Sequence, residues 1–386
     1  MPGRYRRYAG GMTLYPRDRL AKAATAAEKA GLDALLVTPG ADLRYLTGYD
    51  ALPLERLTCL VVPTRGDAFL VVPGLERPRA VESPAGNLGI DIVGWAETED
   101  PYGLAARRLT DALGGQPETI GISDRTWVLH GLRFRDALAG TRHELAGRAL
   151  RELRMRKTAE ELAALRAAAE IIDAVHEQIQ TWSLVGRTEA EVGRDIADAI
   201  IQGGNTAVNF VIVGSGPNGA SPHHDLGPRV IEPGDAVVFD IGGTTPDGYC
   251  SDITRTYVAG GEPDPEFARL YGVLQDAQER ACAAIKPGIT AEDLDAVARD
   301  VIADAGYGEQ FIHRTGHGIG LEEHEEPYIV SGNAEPLEAG MAFSVEPGIY
   351  LPGRFGARIE DICVCTESGG ERLNHVSRDL LVVDAR

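Results

Sequence analysis

The sequence predicts an α/β domain over residues 1–154 followed by a larger α+β domain over residues 155–386. Length is the first observation behind this, because 386 residues exceed what one ordinary core organises and suit two domains. The second is a change of character near residue 150. There, short alternating helical and extended patterns give way to long amphipathic helices separated by extended runs. Composition is the third: 44% apolar residues with 25% charged ones is the balance of a soluble globular protein.

In the first domain RLAKAATAAEKAG reads as a helix ending at Gly31, followed by the apolar strand LDALLVT and a turn at Pro39-Gly40. LTCLVVP and AFLVVPG read as an antiparallel pair around TRGD, at one side of a small sheet. LGIDIVGW, a helical PYGLAARRLTDAL and the extended ETIGISD continue the mixed pattern. In the second domain RELRMRKTAEELAALRAAAEIIDAVHEQI passes into a long helix, with Thr158 and Glu161 at capping-box spacing. Thr188 and Glu191 repeat the signal before EVGRDIADAI, and Thr290 precedes AEDLDAVARDVIADAG. EFARLYGVLQDAQERACAAI is a further amphipathic helix, and VNFVIVG, DAVVFDIG, SDITRTYVAG, AFSVEPGIY and ARIEDICV are extended runs.

A formal net charge of -20 argues against nucleic acid as a partner, since a phosphate backbone calls for a positive surface. The five cysteines form no CxxC pair and no regular disulfide framework, which reads as reduced, mostly buried thiols. The start MPGRYRRYAGGMTLYPRDRL is basic without the apolar stretch of a signal peptide, and no window approaches a membrane span. The expectation is a cytoplasmic protein with no membrane partner.

Four carboxylates interrupt apolar strands. Asp240 ends the run AVVF, and Asp252 opens SDITRTYV after the turn formers Pro246, Asp247 and Gly248. A hairpin there points both acids into one cavity, although each also reads as a turn or capping acid, and Asp247 as a turn residue. Glu346 interrupts AFSV before PGIY, and Glu360 lies within ARIEDICVC. Strand alternation sends Arg358, Glu360 and Ile362 to one face and Asp361 to the other, toward solvent. Four acids in apolar strands need cations or hydrogen-bond donors to stay ionised. His317, between glycines in TGHGIG, is a structural histidine by itself and a neutral ligand in the company of the acids. One imidazole and four carboxylates suit two divalent ions such as Mn2+, Co2+ or Zn2+, whereas Mg2+ usually keeps more water.

The phrases VIVGSGPNGASPHH, VVFDIGGTTPDGYCSDITRTY, FIHRTGHGIGLEEHEEP, MAFSVEPGIYLPG and GARIEDICV stand in this order. They resemble the motifs of the pita-bread metallopeptidases, which include methionine aminopeptidase, aminopeptidase P and the Xaa-Pro dipeptidases called prolidases. The resemblance implies a pita-bread catalytic domain with Asp240, Asp252, His317, Glu346 and Glu360 as ligands of two divalent ions, foremost Mn2+. It further implies that Asp252 and Glu360 bridge the ions, that Asp240 completes one sphere, and that His317 and Glu346 complete the other. GLDALLVTPGADLRYLTGY is similar to the N-terminal domain of the prolidase, aminopeptidase P and creatinase branch. That implies a creatinase-like N-terminal domain serving substrate access and homodimer contacts. One departure stands out: Asp240 and Asp252 enclose eleven residues, one more than the family commonly has, which a longer turn at GTTPDG absorbs if the strand register holds.

The implied chemistry is hydrolysis by water activated between the ions. Glu346 moves the proton from that water to the departing amine. His223 in SPHH and His324 in LEEHEE match the family's substrate-side histidines, and His313 resembles a further pocket histidine. The plain alternative for all three is loop hydrogen bonding. Arg358 orients an acidic ligand or a substrate terminus, or else makes an ordinary salt bridge. GSGPNG lacks the ending of a P-loop and a dinucleotide GxGxxG context, which makes it a weak nucleotide signal. The implied substrates are short peptides with proline second, whose tertiary amide and rigid ring a shaped apolar wall recognises. An Xaa-Pro dipeptidase is the leading expectation. Tyr328 follows Pro327 where some prolidases carry arginine, which keeps aminopeptidase P action on longer peptides open. A small-molecule hydrolase or a binding protein on the same fold is the remaining alternative.

Overall fold

The computed structural model describes residues 14–383, so MPGRYRRYAGGMT, and with it the search there for a signal segment, lies outside the described residues. The chain forms two compact units that divide between Arg154 and Met155.

The first unit is built on β1 (Ala34–Val37), β2 (Cys59–Pro63), β3 (Phe69–Pro73), β4 (Asp91–Trp95), β5 (Thr119–Ile122) and β6 (Arg142–Leu145). They form one mixed sheet in the order β4-β3-β2-β1-β5-β6. β1, β2 and β3 pair antiparallel, and the remaining pairs are parallel. These first three strands are buried along their whole length, as unbroken apolar runs require of strands covered on both faces. The β2–β3 pair does not end the sheet as expected, because β4 lies beyond it. β4 has the partly exposed pattern of an edge, which the pair itself lacks. Helix Pro101–Leu113 covers the sheet with Ala105, Ala106 and Leu109; it starts at the Asp100 cap and stops at Gly114, whose φ is +73°.

In the second unit both capping boxes form. Thr158 Oγ1 accepts from Glu161 N while Glu161 Oε2 accepts from Thr158 N, opening helix Ala159–Ile179. Thr188 and Glu191 do the same for helix Glu189–Gln202. Thr290 caps helix Ala291–Asp304. The strands are β7 (Ala207–Ser215), β8 (Ala236–Thr244), β9 (Cys250–Ala259), β10 (Gly316–Gly318), β11 (Glu325–Ile329) and β12 (Ala342–Val345). They continue with β13 (Gly348–Leu351), β14 (Phe355–Arg358), β15 (Asp361–Thr366), β16 (Gly369–Arg372) and β17 (Val382–Val383). Helices Ala159–Ile179 and Glu189–Gln202 pack Ile172, Val175, Ile196 and Ile200 against a sheet of order β17-β9-β8-β7. Helices Pro265–Ala284 and Ala291–Asp304 pack Phe267, Leu274 and Leu294 against the sheet β11-β10-β12-β15-β16. β13 and β14 make a separate ribbon. The first unit is thus α/β and the second α+β, the two classes the sequence predicts.

AFSVEPGIY and ARIEDICV, each read as one strand, both break at their glutamates. Pro347 has no N–H to continue the ladder, and Glu346 N donates instead to Thr315 O at 2.8 Å. Glu360 N turns away to Thr254 O of β9 at 3.1 Å. Alternation therefore does not run through Glu360. Asp361, expected to face solvent, is 0% exposed and paired with Arg255. Among the described residues no helix is long and apolar enough to cross a membrane. All five cysteines are free and buried.

Candidate metal centre

The β8–β9 hairpin settles the spacing question. Asp240 lies opposite Thr254 and Gly242 opposite Asp252, so the two aspartates share one face, one diagonal apart. The extra residue sits in the turn beyond Thr244 and Cys250, where Thr245 N donates to Tyr249 O and Gly248 takes φ +91°. Register is untouched.

Glu346 and Glu360 flank the gap through which the chain passes from the β12–β15 pair to the β13–β14 ribbon. His317, on β10, stands 3.2 Å by Nε2 from Glu346 Oε1 and 3.6 Å from Asp252 Oδ2. Its Nδ1 donates to Gly318 O at 3.1 Å, which leaves Nε2 bare toward the acids. Ser344 Oγ accepts from His317 N and donates to Glu346 Oε1, and Thr254 Oγ1 donates to Glu360 Oε2 at 2.7 Å. The ligand atoms of Asp240, Asp252 and Glu360 lie within 4.8 Å of one another, and so do those of His317, Glu346 and Glu360. Two overlapping donor sets thus share Glu360. A third set joins Asp252 and His317 to His324, whose ring centroid is 4.0 Å from that of His317.

Electrostatics test whether these residues fit cations. Burial, reinforced by the neighbouring carboxylates, pushes the Asp252 and Glu360 carboxyls well above the usual carboxylate range. Burial also raises Glu346 to about 7. Burial, then His324, holds His317 down at about 3, so its imidazole is neutral, as a ligand must be. Asp240 Oδ1 and Glu360 Oε1 are buried with no hydrogen-bond partner. Among the described residues the four acids face a single buried guanidinium, that of Arg358. Orphaned oxygens, uncompensated charge and a bare imidazole nitrogen fit two divalent cations.

Arg358 is 2% exposed. It donates to Asp240 Oδ2, Thr254 Oγ1, Tyr350 Oη and Pro222 O. It therefore orients an acid of the cluster, and burial leaves it no open face for a substrate terminus. From Tyr350 the chain of bonds continues to His313 Nε2 at 2.9 Å, while His313 Nδ1 donates to Arg314 O. Both ring nitrogens of His313 are thus engaged inside the protein, and burial holds its imidazole down at about 4. His223 and His324 are both exposed. Thr254, Ser344 and Tyr350 escaped the sequence reading. Thr254 had a usable signal, since it follows Asp252 by two positions and so shares its face.

Residues 163–367 match the sequence pattern described as Metallopeptidase family M24, and residues 19–156 the Creatinase/Prolidase N-terminal domain. The chain belongs to metallopeptidase family M24. It is 52% identical over 365 residues to the probable dipeptidase PepE of Mycobacterium tuberculosis, covering 95% of this chain and 96% of that protein. The crystal structure of dipeptidase PepE from Mycobacterium ulcerans matches with TM-score 0.89 at 53% identity, over 95% of this chain and 97% of that one. A recombinant prolidase from Thermococcus sibiricus matches with TM-score 0.88 at 39% identity, over 97% and 100% of the two chains.

Proposed function

We propose that this chain is a metal-dependent exopeptidase that cleaves the bond before proline, acting foremost as an Xaa-Pro dipeptidase. The overlapping acid sets around Glu360 carry this reading, together with relatives named dipeptidase and prolidase. Asp240, Asp252 and Glu360 would hold one ion and His317, Glu346, Asp252 and Glu360 the other, with Mn2+ foremost and Co2+ or Zn2+ as alternatives. When bound, such a pair supplies Lewis-acid activation of water and of the scissile carbonyl.

The chain's own groups do the rest. Glu346, held at Oε1 by Ser344 Oγ, is the group that takes a proton from water and returns it to the leaving amine. Arg358 fixes Asp240, and Thr254 fixes Glu360, holding the acids in place before substrate arrives. His223 and His324 donate to the substrate carbonyl and to the charge that develops there. His313 stands behind them on Tyr350.

Tyr328 stands where some prolidases have arginine, yet the Arg314 guanidinium lies 4.5 Å over its ring. Tyr328 is the register partner of His317, so both side chains face the cluster. A positive charge at that place favours a substrate with a free carboxylate close behind the scissile bond, which is a dipeptide. Residues 1–154 serve substrate access and homodimer contacts, a reading supported by exposed Leu52, Leu75, Trp127 and Val128. Five free thiols fit a cytoplasmic location.

The test is a matched assay of Ala-Pro and Ala-Pro-Ala after metal removal and refilling with Mn2+, Co2+ or Zn2+. Release of alanine from Ala-Pro only in refilled protein is expected. Hydrolysis that survives chelation overturns the metal reading, and preference for Ala-Pro-Ala replaces dipeptidase with aminopeptidase P.

A further inference from the structure

The loop that carries His223 is held on both sides by groups the proposed mechanism does not use in this way. Glu189, the first residue of helix Glu189–Gln202, has a side chain 0% exposed. Its Oε1 accepts from Ser215 N at 2.8 Å, Ser215 Oγ at 2.7 Å and Asn218 Nδ2 at 3.1 Å. Its Oε2 accepts from Asn218 Nδ2 at 3.0 Å and from His224 Nε2 at 2.8 Å. Arg229 donates to Ser215 Oγ at 2.6 Å, which turns the hydroxyl hydrogen toward Glu189. A carboxylate ringed by donors in this way requires a proton on His224 Nε2.

On the other side of His223, Arg358 donates to Pro222 O at 3.2 Å. Between these ties the loop turns at Gly216, with φ +47°, and its Gly219 meets β14 backbone to backbone. A Cβ at Gly356 would collide with Gly219 O. The backbone on either side of the exposed His223 is thereby anchored. Ordering such a loop costs backbone entropy, and a fully satisfied buried carboxylate offsets it.

We propose that Glu189, acting through Ser215, Asn218 and His224, is the positioning residue for His223. This rests on the reading of His223 as a substrate contact. In the metal-loaded full chain Glu189→Gln is expected to lower kcat/KM for Ala-Pro about tenfold, mostly through KM. Amide exchange across residues 215–224 should quicken while bound metal stays unchanged. The same substitution made in a His223→Ala background should cost nothing further, because its effect travels through His223.

Losses that multiply, or unchanged kinetics in Glu189→Gln while His223→Ala is impaired, overturn the positioning role alone. Unaltered kinetics in His223→Ala overturn the substrate-contact reading and this inference with it. If Glu189→Gln does not fold, His224→Gln and His224→Ala decide. Glutamine keeps a donor toward Glu189 and should retain the rate, alanine should lose it, and equal rates overturn the proposal.

Discussion

Glu360 and Asp361 are neighbours in sequence and opposites in environment. Glu360 faces Asp240, Asp252 and Glu346, and burial with those acids drives its carboxyl up. Asp361 faces Arg255 at 2.6 Å, Arg378 at 2.6 Å and Arg372 at 3.4 Å, with Gln278 at 2.9 Å. Although burial acts to raise it, Arg255 and Arg378 hold its carboxyl below the usual range. One acid sits in a surplus of negative charge and the other in a surplus of positive charge. The difference separates a place built to receive cations from one that is complete as folded.

Chelation should break the comparison most visibly, taking turnover to background and lowering the Tm, with both restored on refilling; a Tm indifferent to metal would remove the cation argument. Glu346→Gln should lower kcat by about 10²–10⁴-fold at full metal occupancy, measured beside metal content. Asp361→Asn should cost ~3–5 kcal/mol of unfolding free energy in denaturant titration, since it leaves Arg255 buried without its anion. Metal-free Glu360→Gln should melt no lower than the metal-free parent, because it removes repulsion. If both variants destabilised the metal-free protein alike, the contrast would fail.

Thr254→Val, which releases Glu360 Oε2 and the Arg358 contact, should weaken metal affinity by about 10–100-fold, read by competition with a chelating dye. The smallest effect concerns His176, fully buried against Tyr257, where burial and then Arg255 hold its pKa down from 6.5 to about 3. The unfolded chain takes up a proton there below pH 6.5 and the folded one does not, so stability falls from pH 6.5 toward 3. His176→Gln should flatten that part of the stability–pH curve. An unchanged slope would assign the acid sensitivity elsewhere.

Features governed by neighbours in sequence were legible. Thr158, Thr188 and Thr290 cap their helices because capping is settled within four residues. Asp240 and Asp252 stand together because hairpin register follows from alternation and turn chemistry. Asp361 was misread because alternation presumes an unbroken strand, and the break at Glu360 depends on Thr254, which lies 106 positions away. The relay from Arg358 through Tyr350 to His313 and the clasp at Glu189 were invisible for the same reason. Their partners meet only after the sheets assemble.

The Thr245–Tyr249 turn has a practical meaning for protein engineers. Chain length added at that tip is spent away from the chemistry, since the last rungs of the ladder, Thr244 with Cys250, lock everything below them. The turn itself is packed, with Thr245 and Tyr249 buried and Tyr249 Oη donating to Glu161 Oε1, so it is no place for an inserted handle; searches for similar enzymes gain by treating this gap as elastic while holding the parity of the strands rigid.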